Sequence, residues 1–217
     1  MKNIWGVVLA GGSGNRFGGA KQYVKIGEQR LIDHSIALTR VVCDFTCIVI
    51  PQGVTWDGDE VDLVVEGGST HAQSTRNAVV ALPKEAEILL ITGASHPLAT
   101  PSLARAVLKE LDTGLDACAP MLPLADAVKV VNEQNRIRSA KETRRLHITQ
   151  LPLALRKNVF CAAIQKQPEF LEELEAIEAI GGSIGAIEGD PQNIHIATRD
   201  DLTIAQAIHS LRLKQNL

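Results

Sequence analysis

LAGGSGNRFGGAKQY, residues 9–23, is the stretch whose reading decides the fold. Immediately before it, residues 4–9 (IWGVVL) form an apolar run of the kind that makes a buried strand. After it, Leu31, Ile32, Ile36, Leu38 and Val41 recur at roughly helical spacing. Strand, glycine-rich loop and helix in that order are the setting of a phosphate cradle. Glycine leaves the backbone N–H groups free to close on phosphate oxygens, because no Cβ blocks the approach. Gly11, Gly12, Gly14, Gly18 and Gly19 supply that freedom, and Arg16 and Lys21 supply the positive charge that a triphosphate needs. The bland alternative is a run of glycines that merely turns the chain. The spacing is neither of the two commonest nucleotide patterns. GxGxxG fails because Phe17 stands where its third glycine belongs, and the Walker ending fails because Lys21 is followed by Gln22.

The bulk of the sequence bounds the rest. A chain of 217 residues is long enough for one α/β domain with a sizeable core, expected to span residues 1–217. A net charge of −3 and a pI near 6.1 argue against a nucleic-acid partner, which usually meets a basic surplus. No apolar run approaches the roughly 20 residues of a membrane helix. Met1, Lys2 and Asn3 lead straight into the first strand, leaving no room for a signal peptide. Cys43, Cys47, Cys118 and Cys161 have no CxxC spacing, so they read as reduced thiols of a cytoplasmic protein rather than a zinc site.

Along the chain, residues 46–50, 62–65, 87–92 and 117–119 read as strands. Between them lie helices marked by Ala72, Thr75, Val79 and Leu82, and by Leu103, Val107, Leu108 and Leu111 after Pro101. This βαβα alternation predicts an α/β fold: a Rossmann-like, mostly parallel sheet flanked by helices. From about 122 to 152 the pattern changes. Residues 128–131 and 136–138 around a polar turn predict a projecting β-arm, which suits either a dimer contact or a solvated hairpin. Phe170, Leu174 and Ile177 predict another helix closed by Gly181 and Gly182. Thr198 and Asp201 have the spacing of a capping box before a last helix striped by Leu202, Ala205, Ile208 and Leu211.

The pattern LAGGxGxRFGxxKQ resembles the signature of GT-A-like nucleotidyltransferases. Over nearly the whole chain the sequence is similar to the 2-C-methyl-D-erythritol 4-phosphate cytidylyltransferase family and its ribitol-phosphate relatives. The resemblance implies transfer of CMP from CTP to a sugar-alcohol phosphate, with release of pyrophosphate, and Mg²⁺ as the cation. It implies catalytic roles for Arg16 and Lys21 in gripping the triphosphate. It implies nucleotide contacts from Leu9, Ala10, Gly11, Gly12, Ser13 and Gly14, from Gly68, Ser69 and Ser74 after a second glycine turn at Gly67, and from Ala94. Asp126 and Lys129 match the start of the arm, Gln150 and Pro152 its end. Asn193 and Ile194, followed by Thr198 and by Asp201 and Leu202, resemble the family's last strand and helix start.

The departures gather on the acceptor side. Gly93 stands where the family has an aspartate associated with metal, which leaves the metal ligands unassigned. His96 replaces an arginine at the acceptor phosphate, Ala127 a threonine and His195 a lysine. Thr143 falls where the arm supplies an arginine, with Arg144 and Arg145 adjacent. His71 replaces an arginine in the second nucleotide element, and the acidic loop expected near residues 181–185 is missing. His96, Asp126, Lys129, Arg144 and His195 are therefore the acceptor-pocket candidates. Two functions stay open on sequence: a nucleotidyltransferase acting on methylerythritol phosphate or another polyol phosphate such as ribitol phosphate, or a non-catalytic member that binds a nucleotide or dimerises.

Overall fold

The first strand, β1 (Ile4–Leu9), sets the layering, because its side chains alternate between two apolar clusters. Trp5 and Val7 enter one and Val8 the other. The computed structural model describes residues 3–138 and 145–215. After the glycine loop and a 3₁₀ turn at Lys21–Tyr23, a tight hairpin of β2 (Lys25–Ile26) and β3 (Gln29–Arg30) leads into α1 (Leu31–Val42). Then follow β4 (Phe45–Ile50), β5 (Leu63–Glu66), α2 (His71–Ala81), β6 (Ile88–Gly93), α3 (Pro101–Glu110) and β7 (Ala117–Pro123). The arm carries β8 (Val130–Val131) and β9 (Ile137–Arg138), paired antiparallel, as the sequence predicts. The chain returns through β10 (His147–Thr149) and β11 (Leu153–Arg156), then α4 (Lys157–Lys166), α5 (Glu173–Ala179), β12 (Ile184–Glu188) and α6 (Arg199–Gln215).

The main sheet runs β10-β7-β11-β6-β1-β4-β5, with β12 on the free side of β7. The β6, β1, β4 and β5 strands are parallel, and β12 is parallel to β7. β10 and β11 pair antiparallel with β7 in succession, and β11 also pairs with β6. On one face of the sheet, Val7, Val49, Leu89 and Ile91 pack with Val79 of α2, Phe160 of α4 and Leu174 of α5. On the other, Val8, Ile48 and Ile50 pack against Leu31, Ile32 and Ile36 of α1 and Leu202 of α6, while Leu90 and Ala154 meet Ala104 and Val107 of α3. Both faces are covered, which is why the central strands read as unbroken apolar runs. At Gly6 the covering helix comes so close that a Cβ would lie 2.4 Å from the side chain of Thr39.

Four sequence expectations are refined. The strand at Ala117 runs on to Pro123, because Pro120 sits within a strand whose neighbours still pair on both sides. Phe170 lies before α5 rather than in it, yet is buried, with its ring centroid 5.8 Å from that of Phe160. Gly181 does close α5, with a φ of +76°, and its N–H bonds to the Glu178 carbonyl. Asn193 and Ile194, which resemble the family's last strand, form no strand.

Candidate active site

The chain runs from β1 outward to β4 and β5, then returns to β6 on the opposite side of β1. At such a reversal in a parallel sheet a crevice opens beyond the carboxyl ends of the strands. Leu9 and Gly93, the last residues of β1 and β6, are register partners at its floor. The cleft there has a volume of about 640 Å³, within the range of small-molecule sites.

The glycine loop forms one wall. Its turn closes chiefly on the carbonyl of Gly14, which accepts the N–H groups of Phe17, Gly18 and Gly19, with the Asn15 carbonyl also taking that of Gly18. Gly14 has a φ of +68°, and a Cβ there would lie 1.8 Å from the Gly19 carbonyl oxygen, so only glycine fits. Among the described residues, the backbone N–H groups of residues 11–16 find no acceptor, which leaves them for a ligand or water. Phe17 anchors the loop in the core, and the guanidinium of Arg199, the first residue of α6, stacks over its ring at 4.9 Å. Lys21 Nζ donates to the Ile196 carbonyl at 2.5 Å, and burial together with the nearby Arg16 lowers its pKa. Arg16, Lys21 and Gln22 all line the cleft. Gln22 is buried, and its Nε2 has no acceptor among the described residues.

The second wall is the turn into α2. Thr70 caps the helix by accepting the Gln73 N–H at 3.1 Å, and Gln73 Oε1 accepts from both the N–H and the Oγ of Ser69. Ser74 Oγ accepts the Gly68 N–H at 3.0 Å and donates to the Thr70 carbonyl, so it braces the glycine turn. Gly68, Ser69 and Ser74 line the cleft, as do Leu9, Ala10, Gly11, Gly12, Ser13, Gly14 and Ala94, and His71 stands beside them. All ten residues that the sequence reading assigned to the nucleotide thus meet in one cleft with both catalytic candidates.

The acceptor candidates do not gather in the same way. His96 is buried behind the floor, where its N–H closes a turn on the Gly93 carbonyl, and it does not line the cleft. Its ring stacks on that of His195 with centroids 5.0 Å apart. Burial, then His195 and Lys21, push the His96 pKa down to about 3, and burial and Lys21 lower that of His195. Two neutral imidazoles therefore stand where the resemblance expects cations. Asp126 and Lys129 are exposed on the approach to the arm, away from the cleft lining. Arg144, like Thr143, lies outside the described residues.

The donor set does not fit a protein-held Mg²⁺. Among the described residues no aspartate or glutamate lines the cleft, and no three metal-ligating side chains cluster. The Gly93 carbonyl already accepts from Ser35 Oγ at 3.1 Å and from the His96 N–H. A Cβ on Gly93 would meet only ordinary contacts at 3.4 Å, so the missing carboxylate is a matter of sequence and not of space.

Sequence reasoning did not assign Asn15, Thr70, Ser95, Leu151 or Ala197 to the cleft. Thr70 carried a signal, an N-cap residue three before a glutamine. Leu151 and Ala197 arrive from distant loops and carried none.

The sequence profile of the 2-C-methyl-D-erythritol 4-phosphate cytidylyltransferase family matches residues 4–210. The enzyme of that name from Desulforamulus reducens is 28% identical over 95% of this chain and 96% of its own, and that from Rubrobacter xylanophilus is 27% identical over 98% and 97%. Among solved structures, the 4-diphosphocytidyl-2C-methyl-D-erythritol synthase of Anaerococcus prevotii superposes with a TM-score of 0.80 at 20% identity, covering 96% of this chain and 99% of that one. The Thermus thermophilus cytidylyltransferase gives 0.78 at 20% identity, with 93% and 97% covered. The family profile spans nearly the whole chain, and the chain belongs to the 2-C-methyl-D-erythritol 4-phosphate cytidylyltransferase family.

Proposed function

We propose that this protein transfers CMP from CTP to a sugar-alcohol phosphate, of the methylerythritol phosphate class, releasing pyrophosphate. A phosphate oxygen of the acceptor attacks the α-phosphorus of CTP. The bond from that phosphorus to the β-phosphate bridging oxygen breaks, and pyrophosphate carries the charge away. Such a reaction needs positioning and charge neutralisation more than a covalent nucleophile. The observation that carries the reading is the junction of the glycine loop with Arg16 and Lys21 in one cleft at the strand ends. Backbone N–H groups and the two cations would hold the triphosphate, and the buried amide of Gln22 offers one more donor. With no carboxylate in the lining among the described residues, charge neutralisation by the chain itself rests on those groups.

The acceptor is where this chain differs. The stacked, uncharged His96 and His195 leave the acceptor phosphate to be drawn by other groups, for which Asp126 and Lys129 on the approach to the arm are the candidates among the described residues. The exposed apolar residues of that arm support a homodimer. The unpaired cysteines accord with a cytoplasmic setting, and among the described residues no helix is long and apolar enough to cross a membrane.

The test is pyrophosphate release from CTP with a panel of polyol phosphates, methylerythritol and ribitol phosphates included. Release with at least one acceptor, lost in Lys21→Met, is the expected result. Measurable CTP binding with no release for any acceptor would overturn it in favour of a non-catalytic member.

A further inference from the structure

One titratable pair in the cleft wall has no part in the chemistry above. His71, the first residue of α2, lines the cleft with its side chain 42% exposed. Its Nε2 lies 2.8 Å from Oε1 of Glu173, at the start of α5 and 102 residues away in sequence. Glu173 is 2% exposed. The same oxygen accepts the hydroxyl of Thr75, one turn along α2, at 2.8 Å. The ring of Phe170 stands edge-on to the imidazole at 6.3 Å.

A carboxylate this deeply buried is costly unless donors surround it. Here two donors converge on one oxygen, so the imidazole nitrogen facing it is held as N–H. The proton that comes and goes is then the one on Nδ1. Glu173 thereby fixes the ring at the cleft rim and favours its charged form.

We propose that His71, held by Glu173 as its positioning residue, is a proton-operated third cation of the cleft that joins Arg16 and Lys21 in drawing in the triphosphate. This rests on the reading that the cleft takes a nucleoside triphosphate. The hydrogen bond that His71 donates to Glu173 raises the His71 pKa, more than burial lowers it, and the charges of Glu173 and Glu172 add to the rise. On α5 itself, Glu175 accepts the Leu171 N–H, and Glu175 and Glu178 act on the neighbouring Glu172. Arg16 and Lys21 share the cleft lining with His71. Arg76 of α2 lies 3.7 Å from Glu169. On α4, Lys157 bonds to the Pro83 carbonyl and Lys166 closes the helix. Glu66 of β5 accepts the Gly53 N–H.

The experiment is CTP affinity from pH 5.5 to 8.5 at fixed ionic strength, with the His71 titration followed by NMR in the nucleotide-free protein. Binding by the native chain weakens severalfold as pH rises through the His71 pKa. His71→Arg, which keeps a charge at that place, removes this step and stays in the tight regime. His71→Gln removes it in the weak regime. Glu173→Gln moves both the step and the NMR titration to lower pH. His71 is half exposed, so its variants keep the test alive should Glu173→Gln fold poorly. CTP binding whose pH profile is the same in the native chain, His71→Arg and His71→Gln overturns the proposal alone. No saturable CTP binding by the native chain at any pH overturns the nucleotide reading, and the proposal with it.

Discussion

His96 shows how far one substitution reaches. An imidazole 8% exposed and stacked on a second ring is far easier to bury neutral than charged, and its pKa falls to about 3. It cannot act as the arginine it replaces, so any acceptor phosphate must be drawn by other groups. The same burial ties stability to pH. In the unfolded chain the imidazole titrates near its ordinary value of about 6.5, so below that pH the unfolded state binds a proton that the folded state refuses. The folded state is therefore fully favoured above about pH 6.5 and loses up to roughly 1.4 kcal/mol per pH unit as acid is added. His71 works in the opposite sense: its raised pKa gives stability that is complete below about 6.5 and fades as pH rises through the folded value. Urea unfolding from pH 4 to 8 separates the two. His96→Asn has a shallower acid limb than the native chain, with little change above pH 7. An acid limb equally steep in the variant would show that His96 is not its source.

At the scale of the element, the glycine loop is a device built chiefly on one carbonyl, and its glycines are not equivalent. Gly14 is left-handed and its Cβ would strike the Gly19 carbonyl oxygen at 1.8 Å, whereas a Cβ on Gly12 would meet nothing within 4 Å. Gly14→Ala is expected to open the turn and weaken CTP binding at least tenfold in calorimetry, while Gly12→Ala leaves the melting temperature of the chain almost unchanged. Equal losses of binding and stability in both variants would contradict this account of the loop. The loop was also the most legible part of the sequence, because an apolar strand, clustered glycines and a helical period are all local signals. The βαβα order, the arm and the Thr198 cap, whose hydroxyl and N–H both meet Asp201 Oδ2, were legible for the same reason. Other elements gave no such signal. β11 passes straight into α4 at Arg156 and Lys157, with no capping side chain between them. β12 is five residues long with Gly185 inside it. The antiparallel course of β10 and β11 depends on where the arm returns, which residue types do not encode. Within the site, Gly93 and His96 were visible as departures, but the His71 and Glu173 contact was not, because nothing local joins residues 102 apart in sequence.

At the scale of the whole molecule, apolar surface is unevenly spent. The sheet is covered on both faces, yet the arm displays Val130, Val131 and Ile137 at 57%, 52% and 71% exposure, with Leu146 and Ile148 at 45% and 51% along its return. A two-stranded hairpin of two residues a side is marginal alone in water, and apolar side chains this exposed on both of its faces gain by meeting a partner. A second copy of the chain is the partner that fits best, since an isologous contact would bury the same residues twice over. The arm also begins beside Asp126 and Lys129, so pairing would hold the segment between β7 and β8 that carries two acceptor candidates. Light scattering after gel filtration is expected to give twice the 23.4 kDa of the chain at micromolar concentration. The double variant Val130→Glu, Ile137→Glu places charge on the arm without touching either core cluster, and is expected to elute as a monomer with an unchanged melting profile. If the arm presents acceptor residues, that monomer keeps the CTP affinity of the native chain and loses pyrophosphate release. A native chain that is monomeric at these concentrations would remove the dimer, and with it the role of the arm in ordering the acceptor side.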